Sequence, residues 1–191
     1  MAGLDIDDVW EEIRTDEALA PLRSGGRTLI PGRGSIPATI FVVGRSPDAT
    51  ENTKGRLLTG AVGKSIKSLI QDAAEIPEDV WWYTTISKYH STFALSDPMI
   101  AACVPHIRSE WTAVGMPGVI VTIGGTPLHA LKPDIRGRAS NIVGRPVYGG
   151  KNSVIWPMLN VAIGQAEPAR RPEIEAHWEA LGGWLRQGKI I

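Results

Sequence analysis

Cysteine is almost absent: Cys103 is the only one in 191 residues. That excludes an intrachain disulfide and any multi-cysteine zinc or iron–sulfur site, so neither a metal nor a cofactor is expected. Long hydrophobic runs are missing as well. No stretch approaches the roughly 18 apolar residues of a membrane span, and Met1 to Glu17 is acidic instead of basic-then-apolar, so no span or secretory leader is expected and the chain is read as cytoplasmic. There are no repeats, low-complexity tracts or clear linkers. With 43% hydrophobic and 21% charged residues, this length buries one good core, and one domain is the expectation. The 21 glycines and 14 prolines follow no period, which excludes collagen and points to a turn-rich globular fold.

Net charge is lacking only in sum. Met1 to Glu17 carries seven acids (Asp5, Asp7, Asp8, Glu11, Glu12, Asp16, Glu17) against Arg14, leaving 19 bases against 13 acids in the remainder. A positive body suits a nucleic-acid ligand, because Lys and Arg that neutralise phosphates supply most non-specific affinity. It equally suits solvated charge on an ordinary enzyme.

Ala38 to Gly44 (ATIFVVG) is a β-branched apolar run ended by glycine and reads as a buried strand. From Gly63, the positions Ile66, Leu69, Ile70 and Ala73 recur at helical spacing and stop before Pro77. Val80 to Ile86 (VWWYTTI) is the second strand. Ser96, Asp97 and Pro98 open a helix with Ile100, Cys103, Val104, Ile107, Trp111 and Val114 on one stripe. Gly118 to Ile123 is the third strand, followed by a helix from Thr126-Pro127 to about Leu131. Asn152 to Met158 is a fourth, and Pro172 opens a last helix with Ile174, His177, Trp178, Leu181 and Leu185 in period. The alternation predicts an α/β domain with a mainly parallel four-stranded sheet and helices on both faces. Ligands then bind at the carboxyl ends of the strands, in loops starting near Gly44, Ser87, Gly124 and Leu159. Residues 1–37 read as an N-terminal helix and arm, and 38–187 as the core.

Two glycine-rich segments imitate nucleotide-binding motifs. Thr59 to Ser65 (TGAVGKS) needs a glycine at position 58 to be a phosphate loop, and Leu58 stands there. Gly32-Arg33-Gly34 precedes a strand instead of following one and lacks the third glycine. Both read as turn glycines. The histidines His90, His106, His129 and His177 lack metal-ligand spacing, and only His90, just past the second strand, is placed to meet a substrate.

The segment Gly44 to Gly63, GRSPDATENTKGRLLTGAVG, leaves the carboxyl end of the first strand. It resembles the first motif of the uracil-DNA glycosylase superfamily, in the bacterial branch that often carries an iron–sulfur cluster. Gly44, Pro47, Gly55, Arg56, Gly60 and Gly63 match without a gap. The resemblance continues through YTTISK, VIVTIGGTPLHAL, the pair Arg136-Gly137, and PMLNVAIGQAEP from Pro157 to Pro168, covering about residues 38–187.

The resemblance implies a DNA glycosylase acting on a nucleotide flipped out of double-stranded DNA, as a monomer without a membrane or protein partner. The departures narrow the reading. Only Cys103 falls at a position matching a cluster cysteine, and Tyr89 stands at another, so no cluster can form. Arg45 and Ser46 replace the family's acidic or amide residue and water-activating residue. Asp48 follows Pro47 where the family has a small residue or a Tyr screening the 5-position of the base. Leu58 replaces the stacking Phe, Thr85 the base-reading Asn, and Asn160 the second-motif His.

Asp48 and Asn160 are the candidate catalytic pair, a carboxylate near the sugar and an amide donor to the base carbonyl; the alternatives are a turn-forming Asp beside Pro47 and a loop-capping Asn. Arg45, Ser46, Leu58, Thr85 and His90 are the implied base pocket. Arg56, Lys88, Arg136 and Arg138, with Val161 and Ile163 as an apolar wedge, are the implied DNA contacts. Loss of the Phe and Tyr predicts a larger, more polar pocket, and hence a bulky 5-modified pyrimidine such as glucosylated hydroxymethylcytosine of phage DNA. Its excision would leave an abasic site and serve antiphage defence. A repair glycosylase for uracil or another deaminated base, an inert DNA-binding module of the same fold and a nucleoside hydrolase stay open as alternatives.

Overall fold

The computed structural model describes residues 4–25, 27–135, 141–150 and 153–191. Four short β-branched runs become the parallel centre of the sheet: β2 (Ile40–Gly44), β3 (Trp81–Thr85), β4 (Val119–Ile123) and β6 (Ser153–Met158). Residues of β2 and β3 are buried throughout, as expected of strands covered on both faces. Two antiparallel edge strands, β1 (Arg33–Gly34) and β5 (Val147–Gly150), extend the sheet to six in the order β1-β3-β2-β4-β6-β5. The four-stranded expectation is corrected to that extent. Neither edge strand alternates apolar with polar residues, because one is two residues long and the other ends in two glycines.

Each helix period read from the sequence marks a helix. α4 (Ala61–Ser68) continues into a π turn at Leu69–Ala73. α5 (Asp97–Ala113), α6 (Gly125–Leu131) and α8 (Arg171–Gln187) follow as expected. Two six-residue helices carried no readable period, α3 (Ala49–Lys54) and α7 (Val161–Ala166). The N-terminal segment forms α1 (Ile6–Thr15) and α2 (Ala20–Arg23). Part of its acidity is helix chemistry: Asp5 caps α1 through the Asp7 N–H, and Asp7 and Asp8 occupy the first turn, where the helix dipole favours anions.

The sheet separates two cores. One face packs Val42, Trp81, Tyr83, Val121 and Trp156 against α4, the π turn and α8. The other packs Phe41, Val43 and Trp82 against Val9, Trp10 and Ile13 of α1 and Cys103 and Ile107 of α5. The chain leaves β2 toward β3 on one side, returns across it through α5, and leaves β4 toward β6 on the other. The carboxyl ends of the adjacent β2 and β4 thus form the crevice where doubly wound sheets hold ligands. Among the described residues no helix is long and apolar enough to cross a membrane.

Candidate active site

A cavity of about 290 Å³ opens at that crevice. Gly44, Arg45, Ser46, Pro47 and Asp48 form one wall as the chain leaves β2, and Tyr83 and Ile123 close the floor from β3 and β4. Glu51 of α3 and Val62, Gly63 and Ile66 of α4 form the side, with His90, Ser91, Asn160 and Ala162 opposite. A larger groove of about 530 Å³ is lined by residues of α4, the π turn, α7 and α8, including Lys64, Gln165, Arg171 and Glu175, and by none at a strand end. The smaller cavity is the one lined by residues of β2, β3 and β4 together.

Asp48 holds two positions at once. Its Oδ1 accepts the Glu51 N–H at 2.8 Å, and Glu51 Oε2 accepts the Asp48 N–H at 3.0 Å, a reciprocal capping box that starts α3. Its other oxygen lies over Gly60, where an added Cβ would come within 1.8 Å of Oδ2. Gly60 is needed for this approach and not for its backbone, whose φ of −79° suits any residue.

Glu51 is a buried carboxylate that the sequence reading missed. Its Oε1 takes the Leu58 N–H at 2.6 Å, and burial pushes its carboxyl above the usual range, opposed by these backbone donors. Tyr83, also missed, has its hydroxyl pushed upward by burial first and then by the negative charges of Glu51 and Asp48. Its OH therefore stays a neutral donor.

Asn160 caps α7, its Oδ1 accepting the Ala162 N–H at 3.1 Å. This fixes the amide's orientation and leaves its NH₂ group as donor. His90 Nδ1 lies 2.9 Å from the Pro47 carbonyl oxygen. A carbonyl only accepts, so Nδ1 is the donor of this bond. Asp48, Asn160, Arg45, Ser46 and His90, five of the seven residues expected at the catalytic pair and base pocket, thus line one cavity.

The other two do not. Leu58 packs in the core with left-handed backbone (φ 63°) and does not line the cavity. Thr85 is fully buried, with its hydroxyl donated to the Ser87 carbonyl at 2.8 Å. Two expected DNA contacts also fail. Lys88 is buried in an ion pair with Glu110, out of reach of a phosphate, and Val161 is a core residue, so it cannot serve as a wedge. Ile163 is half-buried and Arg56 exposed on the turn after α3. Arg136 and Arg138 lie outside the described residues.

The family model described as the uracil DNA glycosylase superfamily matches residues 31–182. The chain belongs to the uracil-DNA glycosylase superfamily. A protein named type-4 uracil-DNA glycosylase from Sulfurisphaera tokodaii is 30% identical over 160 residues, covering 80% of this chain and 72% of the relative. Another of that name, from Pyrobaculum aerophilum, is 22% identical over 181 residues, covering 92% and 90%. This superfamily member is accordingly a DNA glycosylase, a hydrolase of the bond between base and sugar, and DNA is its partner. The iron–sulfur cluster of the branch it resembles does not fit its residues. One cysteine cannot supply a thiolate set; Cys103 is buried, its thiol pushed up to about 11 by burial, and Tyr89 packs in the same core.

Proposed function

We propose that this glycosylase excises a flipped-out, bulky 5-modified pyrimidine, of which glucosylated hydroxymethylcytosine in phage DNA is the leading candidate, leaving an abasic site and serving antiphage defence. The observation that carries the reading is the wall of the cavity. Leu58 is withdrawn into the core, so no side chain from that position narrows the site, while Arg45, Ser46 and Asp48 make the β2 wall polar. At about 290 Å³, the cavity approaches the roughly 300–1,000 Å³ of sites for drug-sized ligands, more than a bare pyrimidine fills. A carboxylate in that wall can accept hydroxyl hydrogen bonds from a sugar substituent, and sites built on such bonds discriminate strongly.

Base–sugar hydrolysis develops positive charge on the sugar ring and negative charge on the departing base. In this reading Asp48 supplies the anion beside the sugar and orients the attacking water. Asn160 donates its amide to a base carbonyl as charge builds there, and His90 Nε2 meets the base edge. Arg56 and Ile163 serve the strand around the extruded nucleotide.

A second reading, excision of uracil, is favoured by the name the relatives carry, type-4 uracil-DNA glycosylase. Mass spectrometry of bases released from uracil-containing, unmodified and glucosylated hydroxymethylcytosine DNA separates the two. Release of the modified base alone, lost in Asp48→Ala and Asn160→Ala, is the expected result. Release of uracil alone overturns the bulky-base reading.

A further inference from the structure

We propose that Lys88 and Glu110 are positioning residues for the base cavity: their buried ion pair ties β3 to α5 and fixes the loop that presents His90. The proposal rests on the reading of His90 as a wall of the base site.

Lys88 is 3% exposed and Glu110 is not exposed at all. The Glu110 carboxylate receives Trp82 Nε1 at 2.7 Å, Thr84 Oγ1 at 2.9 Å and Lys88 Nζ at 2.5 Å. Lys88 Nζ also donates to the Thr85 carbonyl at 2.9 Å and to the Thr84 hydroxyl. The ammonium has three protons and meets three acceptors, so the network is complete. Trp82 and Thr84 alternate on the α5 side of β3, and Tyr83 between them faces the other core and the cavity floor. Glu110 therefore grips the strand whose opposite face forms part of the site.

The loop beyond β3 is bound just as closely. Thr85 Oγ1 donates to the Ser87 carbonyl at 2.8 Å, Ser87 Oγ to the Tyr89 carbonyl at 2.8 Å, and the Ile30 N–H to the Lys88 carbonyl at 2.9 Å. Two residues after Lys88, His90 reaches the Pro47 carbonyl across the cavity mouth. Gly32 shows how tightly the arm passes over the network: a Cβ there would come within 2.1 Å of Glu110 Oε1 and 2.5 Å of Trp82 Nε1. A buried ion pair is poor evidence of stability, since apolar pairs of similar volume often replace one at no cost. What this pair adds is one fixed geometry. Cys103 and Tyr89 pack with Trp82 in the core on this face of the sheet.

The test uses the full chain with ¹⁵N-labelled histidine and the variant Lys88→Met/Glu110→Leu, which replaces the ion pair by apolar side chains of similar volume. His90→Ala assigns the His90 ring signals. In the folded double variant, the Nδ1–H signature of His90 is expected to give way to averaged tautomers. Single-turnover base release from the DNA that the parent protein cleaves is expected to fall on the order of 10- to 100-fold, the penalty of a displaced contact. Made on top of His90→Ala, the same pair replacement should cost no further rate, because its effect runs through His90. A folded variant with an unchanged His90 signature and release rate overturns the proposal, as does an equal loss with and without His90. If the double variant does not fold, Glu110→Gln, which is nearly isosteric, is judged by the same spectrum. If the parent protein releases no base from any DNA, the functional reading fails while the His90 spectrum still decides the positioning role.

Discussion

Asp48 caps a helix through Oδ1 and is one of the residues lining the cavity, and two substitutions separate these roles. Asn is as good an N-cap as Asp, whereas Ala removes the cap at a cost of about 1 kcal/mol. In a domain of this size that lowers Tm by roughly 2–4 °C. The cost should not be much larger, because α3 spans only Ala49–Lys54 and Glu51 keeps its own bonds to the Asp48 and Leu58 N–H groups. Asp48→Asn should therefore melt within about a degree of the parent, and Asp48→Ala a few degrees lower. Chemistry divides differently. In the proposed mechanism both variants lose the anion beside the sugar, and both should slow single-turnover base release by about 100- to 1,000-fold, the usual loss when one preorganised electrostatic group is removed. Thermal denaturation and rapid-quench base release on the same preparations give both numbers. An Asp48→Asn protein at full rate refutes the catalytic role, and an Asp48→Ala protein with unchanged Tm refutes the capping argument.

Gly60→Ala displaces the Asp48 carboxylate without changing it, since the added methyl would sit 1.8 Å from Oδ2 on a backbone that tolerates alanine; base release should fall while DNA affinity holds, and an unchanged rate contradicts the geometry. Arg56→Ala should weaken DNA binding across sequences and reduce the slope of log affinity against log salt by about one; fluorescence anisotropy over a salt series reads this, and an unaltered slope removes Arg56 from the interface. Asp16 accepts from His106 Nε2 at 2.6 Å, and that bond, with the Ala18 N–H, holds its carboxyl below the usual carboxylate range. A depressed carboxylate stabilises the fold above its unfolded pKa and loses that contribution as pH falls through the folded value. Urea unfolding of Asp16→Asn should therefore fall off less steeply than the parent below about pH 4, and parallel acid limbs contradict the assignment.

The central strands were legible because Ile40–Gly44, Trp81–Thr85 and Val119–Ile123 are short β-branched or aromatic runs bounded by turns, a pattern that few other structures satisfy. Their alternation with helices directs attention to the strand ends, where Asp48, His90 and Asn160 line one cavity. What escaped was set by distance or orientation. Glu51 reads as one more surface charge until the D-x-x-E spacing from Asp48 is taken as a capping box. Lys88 and Glu110 are 22 residues apart and meet only when α5 lies on β3, so no local pattern announces the pair, and Lys88 was assigned to DNA instead. Tyr83 sits among Trp81 and Trp82 in a run apolar on both faces, and nothing in such a run marks which ring meets the cavity. Leu58 was placed by motif position alone, while its apolar side chain followed the core.

The double duty of Asp48 also shapes how this site can drift. A substitution there that admits a new base but cannot cap also loosens the start of α3, so novelty at position 48 carries a folding penalty unless the new residue is itself an N-cap. Arg45 and Ala162 line the same cavity, yet among the described residues neither side chain carries a hydrogen bond or ion pair of the fold. New substrate preferences are therefore most cheaply explored at these two positions, and related sequences should vary there before they vary at Asp48.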